Sequence, residues 1–383
     1  MKILWHSCSP WARSGYGTQT ATWITKLTEM GHEITVSSFW GLTGSPTSWN
    51  GITILPGFGA NYCSPSLLEH AKRIRPDLII TLGDIWVLDP NIVGQLPIAH
   101  WLPSDCRPMS TADRQMVEAA GVFQLIAMSK FGHKRFSDAG FDALYVPHGI
   151  NLETFSLPQD REEARAQMGL GDNFVIGANM ANNDAIRKAL PEVMVAFAKF
   201  HNDRPDSLLS LHTCVHQEGG QDLEFLAEHL GITDVTRVVD QYSYTAGLIS
   251  DDDMAQWYGA IDVLCSTSFG EGFGLPIIEA QACGVPVITT NTSSMPELNP
   301  YGIQVDGLPF WNGVHRGWWT RPDIRGIYNA FHESYERKDD IDRKQLRDFA
   351  SKYEVNKVAK DYMAPAIEEL GRRMETRGAA NAR

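Results

Sequence analysis

The sequence predicts an α/β fold in which parallel strands and their covering helices form two domains. At 383 residues the chain is too long for one ordinary core, so two domains are the natural expectation. Short apolar segments alternate with amphipathic ones, which is typical of parallel sheets wrapped by helices. The alternation pauses at a segment containing Gly and Pro near residue 150 and then resumes. Each half of the chain therefore supplies its own sheet.

The first half begins with a strand over Ile3–Ser7 and an amphipathic helix over Thr18–Met30, which Gly31 ends. A second strand follows over Glu33–Ser38. Further apolar segments bounded by Gly, Pro or charged residues predict strands over Leu78–Leu82, Ile98–Trp101, Phe123–Met128 and Leu144–Val146. We expect an N-terminal domain over residues 1–150.

The second half follows a predicted linker at Val146–Asn151. Apolar segments there predict strands over Phe174–Ala178, Leu208–His212, Arg237–Val239, Val263–Ser266 and Val285–Thr289. We expect a C-terminal domain over residues 151–355, and a helix with a polar tail over 356–383 that could pack on either domain, including back on the N-terminal one. Two such domains should form a crevice between the carboxyl ends of their sheets, where ligands bind.

Composition narrows the class of protein. A hydrophobic fraction of 43% and a charged fraction of 21% describe an ordinary globular protein. The net charge of −13 disfavours a protein that binds the phosphate backbone of DNA. The cysteines have no CxxC spacing, which argues against a zinc ribbon or a disulfide framework and favours a reducing compartment. The N-terminus does not read as a signal peptide, and no apolar segment reaches the roughly 18 residues of a membrane span. We expect a cytoplasmic protein, with peripheral membrane attachment left open.

The most informative segment runs from Glu271 to Glu279 and on to Ile288. Gly272 and Gly274 have no Cβ to block the approach of a ligand to the backbone. Pro276 suits the first turn of a helix, whose N-terminal N–H groups attract an anion. A carboxylate on each side of an anion site is the arrangement that a nucleotide sugar requires, and two surface carboxylates that merely flank a turn are the alternative.

This segment, EGFGLPIIEAQACGVPVITT, resembles the E-x7-E signature of retaining glycosyltransferases of the GT-B fold, notably family 4. Supporting segments occur in the family's order: Gly15-Tyr16-Gly17, Ser129-Lys130-Phe131, Pro147-His148-Gly149-Ile150-Asn151, Arg187-Lys188 and Ser293-Ser294-Met295-Pro296-Glu297. Two departures stand out, since Asn151 replaces the common Asp and Ser293-Ser294 replaces the common glycine pair. The resemblance implies two Rossmann-like α/β/α domains facing each other across a crevice.

The resemblance also implies the roles of residues on the donor side. Arg187 and Lys188 would hold the diphosphate, where negative charge develops as the sugar departs. Glu271 would hold hydroxyls of the donor sugar, and Glu279 those of the ribose. Backbone groups of the flanking loops complete this predicted set: Gly272, Phe273, Gly274 and Leu275 on one wall, and Gly15 and Gly17 on the other. For Arg187 or Lys188 the alternative is a cation on the solvent side of a helix. For Gly15 and Gly17 the alternative is an ordinary strand–helix turn.

The acceptor side has weaker candidates at the end of the Ile98–Trp101 strand. His100 could contact the donor sugar, and Asp105 could orient or deprotonate an acceptor hydroxyl. A buried histidine beside a turn-forming aspartate fits the same residues equally well. Asp84 is a weaker candidate of the same kind. The resemblance implies front-face attack, in which the departing phosphate takes the acceptor proton.

No metal site and no cofactor are predicted. Asp251-Asp252-Asp253 follows Ser250 and reads as a capped, acidic helix start rather than a metal-binding DxD motif. His212 and His216 straddle a strand end without carboxylates nearby in sequence. The cluster Lys130–Phe136 could touch an anionic lipid surface, although a solvated helix face is favoured. The Trp-rich segment Tyr301–Arg325 could shape acceptor choice or serve only in packing.

The function that follows is transfer of a hexose from a UDP- or GDP-sugar to a hydroxyl, with retention and without metal. The acceptor could lie on a glycan, a lipid, a protein, a small metabolite or a modified nucleobase. The sequence carries no strong signal for nucleic acid or membrane as a partner. Two alternatives remain, namely a nucleotide-sugar epimerase on the same fold and a non-catalytic nucleotide-sugar-binding protein.

Overall fold

The computed structural model describes residues 1–59, 62–94 and 96–381. The described chain divides into two compact units. The first comprises Met1–Gly149, Asn312–Gly317 and Val355–Arg383, and the second comprises Ile150–Trp311 and Trp318–Glu354. The chain thus passes from the first unit to the second directly after Gly149.

The strands lie in three sheets within the described residues. In chain order they are β1 (Lys2–Cys8), β2 (Glu33–Trp40), β3 (Thr47–Trp49), β4 (Ile52–Leu55), β5 (Leu78–Leu82), β6 (Ile98–Leu102), β7 (Gln124–Ala127), β8 (Ala143–Tyr145), β9 (Phe174–Asn179), β10 (Ser207–His212), β11 (Thr236–Val238), β12 (Val263–Ser266), β13 (Val287–Thr290), β14 (Ile303–Val305), β15 (Gly307–Asn312) and β16 (Gly317–Pro322).

The α-helices lie between the strands and after the last strand, β16. They are α1 (Gly15–Glu29), α2 (Ser64–Ile74), α3 (Pro90–Val93), α4 (Thr111–Ala119), α5 (Lys130–Asp138), α6 (Arg161–Gln167), α7 (Leu190–Asp203), α8 (Leu223–Leu230), α9 (Gln241–Thr245), α10 (Asp251–Ala260), α11 (Leu275–Ala282), α12 (Met295–Leu298), α13 (Ile324–Glu336), α14 (Arg343–Ala350), α15 (Val355–Val358) and α16 (Ala364–Asn381). A π-helical turn at Ala359–Met363 joins α15 to α16.

The sheet of the first unit has the order β3-β4-β2-β1-β5-β6-β7-β8 among the described residues. Its pairs are parallel except for β3 with β4, which is antiparallel. Strands β5, β6 and β7 are buried along their whole length, as expected of parallel strands covered on both faces. Apolar residues from these strands and from the helices form one core cluster.

The sheet of the second unit has the order β11-β10-β9-β12-β13-β14 and is parallel throughout its described pairs. In the register of β9 with β10, Asn179 lies opposite His212 at the carboxyl ends of both strands. Helices α7 and α13 contribute to the core cluster of this sheet, which includes Phe197, Phe200 and Phe331. The carboxyl ends of its strands carry the residues of the site described below.

Each of the predicted strands is present, with bounds shifted by up to two residues. Sequence reasoning missed the edge strand β3 and its neighbour β4, which are short and partly exposed. It also missed the edge strand β14 and the hairpin β15–β16. Helix α1 begins at Gly15, three residues before the predicted start, because the Ser14 side chain caps it by accepting from the Gly17 N–H. Ser250 and Asp253 form a capping box at α10, which confirms that the three aspartates begin a helix.

Two further features concern the chain as a whole. The cysteines are free thiols in the described structure. Among the described residues, none of the helices has both the length and the apolar character needed to cross a bilayer.

Candidate functional site

Two cations converge on one carboxylate in the second unit. Arg187 and Lys188 lie in the loop between β9 and α7, and Glu271 follows β12. The Lys188 Nζ lies 2.5 Å from Glu271 Oε1, and the Arg187 Nη1 lies 3.3 Å from Glu271 Oε2. The Ser268 hydroxyl also donates to Glu271 Oε1, at 2.6 Å. Both cationic side chains therefore turn inward to the loop before α11, and neither is on the solvent side of a helix.

The Glu271 carboxylate is held ionised by this arrangement. Burial disfavours its charge, but the charges of Lys188 and Arg187 outweigh burial and lower its pKa to about 2. Ala189, directly after Lys188, has a φ of 53° and caps α7. A left-handed alanine is strained, and such strain is often found where neighbouring side chains must be aimed.

The loop after Glu271 is fixed by two serines. Gly274 has a φ of 115°, which favours glycine, and it is the N-cap of α11. Ser293 accepts from the Glu271 N–H at 2.9 Å, while the Ser294 hydroxyl lies 2.8 Å from the Glu271 carbonyl and 2.6 Å from that of Phe273. Ser293 keeps a φ of 53° that would suit glycine, so its hydrogen bond accounts for the departure from the family's glycine pair. Gly272 lies in this loop, and Leu275 is the first residue of α11.

Glu279 lies on α11 and is 8% exposed. Its Oε2 accepts from the Tyr258 hydroxyl at 2.8 Å. Burial raises the pKa of the Glu279 carboxyl to about 7; Tyr258 opposes this shift, and the charge of Asp251 adds to it. The two glutamates of the signature therefore differ, because Glu271 is neutralised by cations and Glu279 is bonded by a neutral phenol.

His100 lies deep in the first unit. It is 0% exposed on β6, opposite Thr81 of β5, and its Nδ1 hydrogen-bonds the Thr81 hydroxyl. Burial and the neighbouring His6 lower its pKa to about 3. This geometry makes His100 a neutral core residue, as in the alternative interpretation of the sequence, a buried histidine. Contact with a donor sugar stays a prediction.

Asp105 is half-buried after β6. It lies near the carboxyl of Asp113, which sequence reasoning missed. Burial raises the pKa of Asp113 to about 6; His315 opposes this shift, and the charges of Asp105 and Asp84 add to it. Asp84 accepts from the Tyr16 hydroxyl at 3.1 Å. The first unit thus brings together Asp84, Asp105 and Asp113 electrostatically, without a contact that identifies a ligand.

Gly15 and Gly17 occupy the first turn of α1. A Cβ on Gly17 would lie 2.0 Å from the Ala12 carbonyl oxygen, so close packing requires glycine there. Its N–H already bonds Ser14 Oγ at 3.1 Å. Gly15 is exposed. A role for either glycine in donor binding stays a prediction.

The remaining sequence candidates have local partners. His216 is an exposed residue that lies 2.9 Å from Glu224 and 3.3 Å from Asp222, carboxylates that its sequence neighbourhood did not reveal. Within the described residues, no group of three or more His, Cys, Asp or Glu could hold a metal ion. Lys134 and Arg135 pair with Asp138 on the same helix, as on a solvated helix face.

The Trp-rich segment is divided between core and surface. Trp319 is buried on β16, whereas Trp311 and Trp318 are about half exposed and meet edge to face with ring centroids 5.1 Å apart. Packing, the favoured prediction, therefore accounts for Trp319 and not for the other two.

Comparison with known proteins identifies what the chain is similar to. Residues 186–313 match the family model for glycosyl transferases group 1. This range contains Arg187, Lys188, Glu271, Glu279 and the serine pair. The resemblance to group 1 glycosyltransferases is confirmed.

Curated relatives that are named as glycosyltransferases are similar to this chain over part of their length. The D-inositol 3-phosphate glycosyltransferase of Streptomyces bingchenggensis is 32% identical over 160 residues, which is 39% of this chain and 33% of the relative. The protein of the same name from Arthrobacter sp. is 30% identical over 200 residues, 49% of this chain and 45% of the relative. The chain spans about a third of the length of the first of these relatives.

Solved structures share the fold. The sucrose-phosphate synthase of Thermosynechococcus elongatus has a TM-score of 0.76 at 18% identity, covering 96% of this chain and 98% of that one. HepE of Anabaena, solved in complex with UDP and glucose, has a TM-score of 0.70 at 18% identity, covering 96% of this chain and 100% of that one. The predicted fold class, an α/β fold of the GT-B type, is confirmed.

Proposed function

We propose that this protein is a retaining hexosyltransferase that moves a sugar from a UDP- or GDP-sugar to an acceptor hydroxyl, without a metal ion. The observation that carries the proposal is the convergence of Arg187 and Lys188 on Glu271 before helix α11. The match of this region to the group 1 family model supports it.

The chemistry requires positive charge where the leaving diphosphate gains negative charge. A guanidinium fork and an ammonium group suit this task, because the first bonds two phosphate oxygens and the second supplies a point charge. Their pairing with Glu271 at 2.5 and 3.3 Å holds both side chains in place. A donor diphosphate would share these cations, and Glu271 would then accept hydroxyls of the donor sugar.

The acceptor is proposed from the chemistry of the family's reaction and from the names of the curated relatives. In the family's front-face reaction the acceptor oxygen bonds the anomeric carbon as the bond to the β-phosphate oxygen breaks, and that phosphate takes the acceptor proton. An inositol phosphate is the first acceptor to test, because the curated relatives are named for one. UDP-glucose is the first donor to test, because HepE was solved with it.

The test is release of nucleoside diphosphate from UDP-, GDP- and ADP-sugars, with and without an inositol phosphate. Wild type should release diphosphate from one donor, and Lys188→Ala should abolish release. Lys199→Ala is the matched control, since Lys199 is an exposed residue that lies over the Tyr328 ring. Absence of both release and nucleotide binding in wild type would refute the proposal, and binding without release under every acceptor tested would indicate a non-catalytic binder.

A further inference from the structure

A chain of three hydrogen bonds connects four side chains in the second unit. Tyr258 of α10 bonds Glu279 of α11 at 2.8 Å, and the Asn179 Nδ2 lies 2.8 Å from the Tyr258 hydroxyl. The Asn179 Oδ1 lies 3.3 Å from His212 Nδ1. Asn179 and His212 are opposite each other in the register of β9 and β10, so the sheet itself aligns this end of the chain.

The direction of these bonds follows from what each group can donate. The Tyr258 hydroxyl has one proton and gives it to the Glu279 carboxylate, so it accepts from the Asn179 amide NH₂. The Asn179 carbonyl oxygen then faces His212, whose Nδ1 must carry the hydrogen. Burial lowers the pKa of His212 to about 4, so near neutral pH the ring has a single N–H. The chain therefore runs one way, from His212 to Glu279.

Tyr258 is the group best placed to control Glu279. The other titratable groups that interact with Glu279 are Asp251 on α10 and Cys283 on α11. Arg347 on α14 interacts with Cys283 and bonds the backbone carbonyl of Ala282. Among the described residues, the hydrogen bond to the Glu279 carboxylate comes from Tyr258.

We propose that Tyr258, oriented through Asn179 and His212, is a positioning residue that keeps Glu279 an acceptor for the vicinal ribose hydroxyls of the donor. The inference rests on the proposed function and deepens it. A carboxylate has about four acceptor positions, and Tyr258 occupies one of them, which leaves enough to accept from both hydroxyls of a cis-diol. A protonated Glu279 would lose acceptor capacity and would have a proton of its own to donate.

The experiment compares ribonucleotides with nucleotides that lack the diol. Binding of UDP and GDP, and of their 2′,3′-dideoxy forms, is measured for wild type and for Tyr258→Phe. Loss of a charge-assisted hydrogen bond should weaken ribonucleotide binding by about ten-fold at pH 7. Binding of the dideoxy form should stay within about two-fold, because it makes no contact with Glu279.

The pH dependence separates positioning from a packing defect. Burial raises the pKa of Glu279 to about 7, and removal of the Tyr258 hydroxyl raises it further, so the ribonucleotide defect should be largest between pH 7 and 8 and should be small at acid pH, where Glu279 is protonated in both proteins. By pH 9 it should shrink, because Glu279 ionises in both proteins. Tyr335→Phe is the matched control, since it removes a tyrosine–carboxylate hydrogen bond to Asp206, at 2.6 Å, on an exposed surface.

Asn179→Asp provides a second variant of nearly unchanged shape. Its carboxylate would compete with Glu279 for the single Tyr258 proton, so the same selective loss of ribonucleotide binding should appear. Equal loss for ribo and dideoxy forms in both variants, or no loss in either, would overturn the inference while leaving the proposed function intact. Failure of wild type to bind any nucleotide would refute both.

Discussion

The residues predicted to form a site at the carboxyl ends of the two sheets lie in different environments. In the second unit, Arg187, Lys188 and Glu271 bond one another and the serines that hold their loop. In the first unit, His100 is sealed in the core beside Thr81, and Asp105 lies near Asp113 without a hydrogen bond that defines a site. Mutual contacts among polar groups thus distinguish the two regions, and position at a strand end alone does not.

Arg187→Ala should give the largest difference between the two regions. Turnover of the preferred donor should fall by about 10²–10³-fold, because a group that stabilises the departing diphosphate is lost. Steady-state kinetics with Arg325→Ala as an exposed control would measure this. A fall of less than about three-fold would remove Arg187 from the catalytic set.

His100→Ala should act on stability. Truncation of this fully buried ring leaves a cavity, so the free energy of unfolding should fall by about 2–4 kcal/mol in urea titrations. Turnover at low temperature, where the variant stays folded, should remain near that of wild type. Unchanged stability with lost turnover would instead favour the sugar contact predicted from the sequence.

Removing the charge of Glu271 and removing that of Glu279 should change the stability of the protein in opposite directions. Glu271→Gln should lower stability at pH 8 by about 1–3 kcal/mol, and this loss should vanish as the pH falls toward 2, because the pKa of Glu271 is depressed by its cations. Glu279→Gln should raise stability at pH 8 by a similar amount, because the pKa of Glu279 is raised by burial.

The gain for Glu279→Gln should develop between about pH 4 and 7 and disappear below that window, where the carboxyl is protonated in both folded and unfolded chains. Urea unfolding across pH 3–9 measures both curves. Shifts of the same sign in both variants would show that the two carboxyls share one environment.

Ser294→Ala should have a smaller effect on the loop. Loss of a hydroxyl that bonds the carbonyls of Glu271 and Phe273 should cost about 1–2 kcal/mol of stability and raise KM for the donor several-fold. Ser110→Ala, at the N-cap of α4 in the first unit, is a control that should lower stability without changing KM. A KM effect of equal size in both variants would contradict the assignment to the loop.

Ala189→Gly should have the smallest effect. Glycine relieves the left-handed φ of 53°, so thermal denaturation should show a gain of about 0.5–1 kcal/mol. Ala196→Gly, buried inside α7, should instead lose about 1–2 kcal/mol, because it removes both helix propensity and a buried methyl group. A loss at position 189 would show that the alanine methyl group contributes packing there.

Local pattern predicted the loop and the helix start after Glu271 correctly, because nearby residues specify both. Gly272, Gly274 and Pro276 specify a turn and a helix start within a few residues, and the structure has both. The fold class followed from apolar alternation, whereas the short strands β3, at the sheet edge, and β4, beside it, lacked such a signal.

The contacts that sequence reasoning missed join residues that lie far apart in the chain. Tyr258 meets Asn179 from 79 residues away, and His212 meets Asn179 from 33 residues away through the register of two strands. Nothing near Tyr258 in the chain indicates these partners. Likewise, the strand containing His100 was predicted correctly, but the depth of that residue depends on the elements that cover it.

The pairing of Glu271 with both cations has a consequence for selectivity. Glu271 offsets one of the two positive charges of Arg187 and Lys188, so the site should attract simple anions such as inorganic phosphate or sulfate less strongly than two unpaired cations would. A competing anion would have to displace a carboxylate that already occupies both cations. Under the proposed function, a nucleotide sugar would compensate by offering hydroxyls to the displaced carboxylate, and this exchange would let the site distinguish a nucleotide sugar from inorganic phosphate.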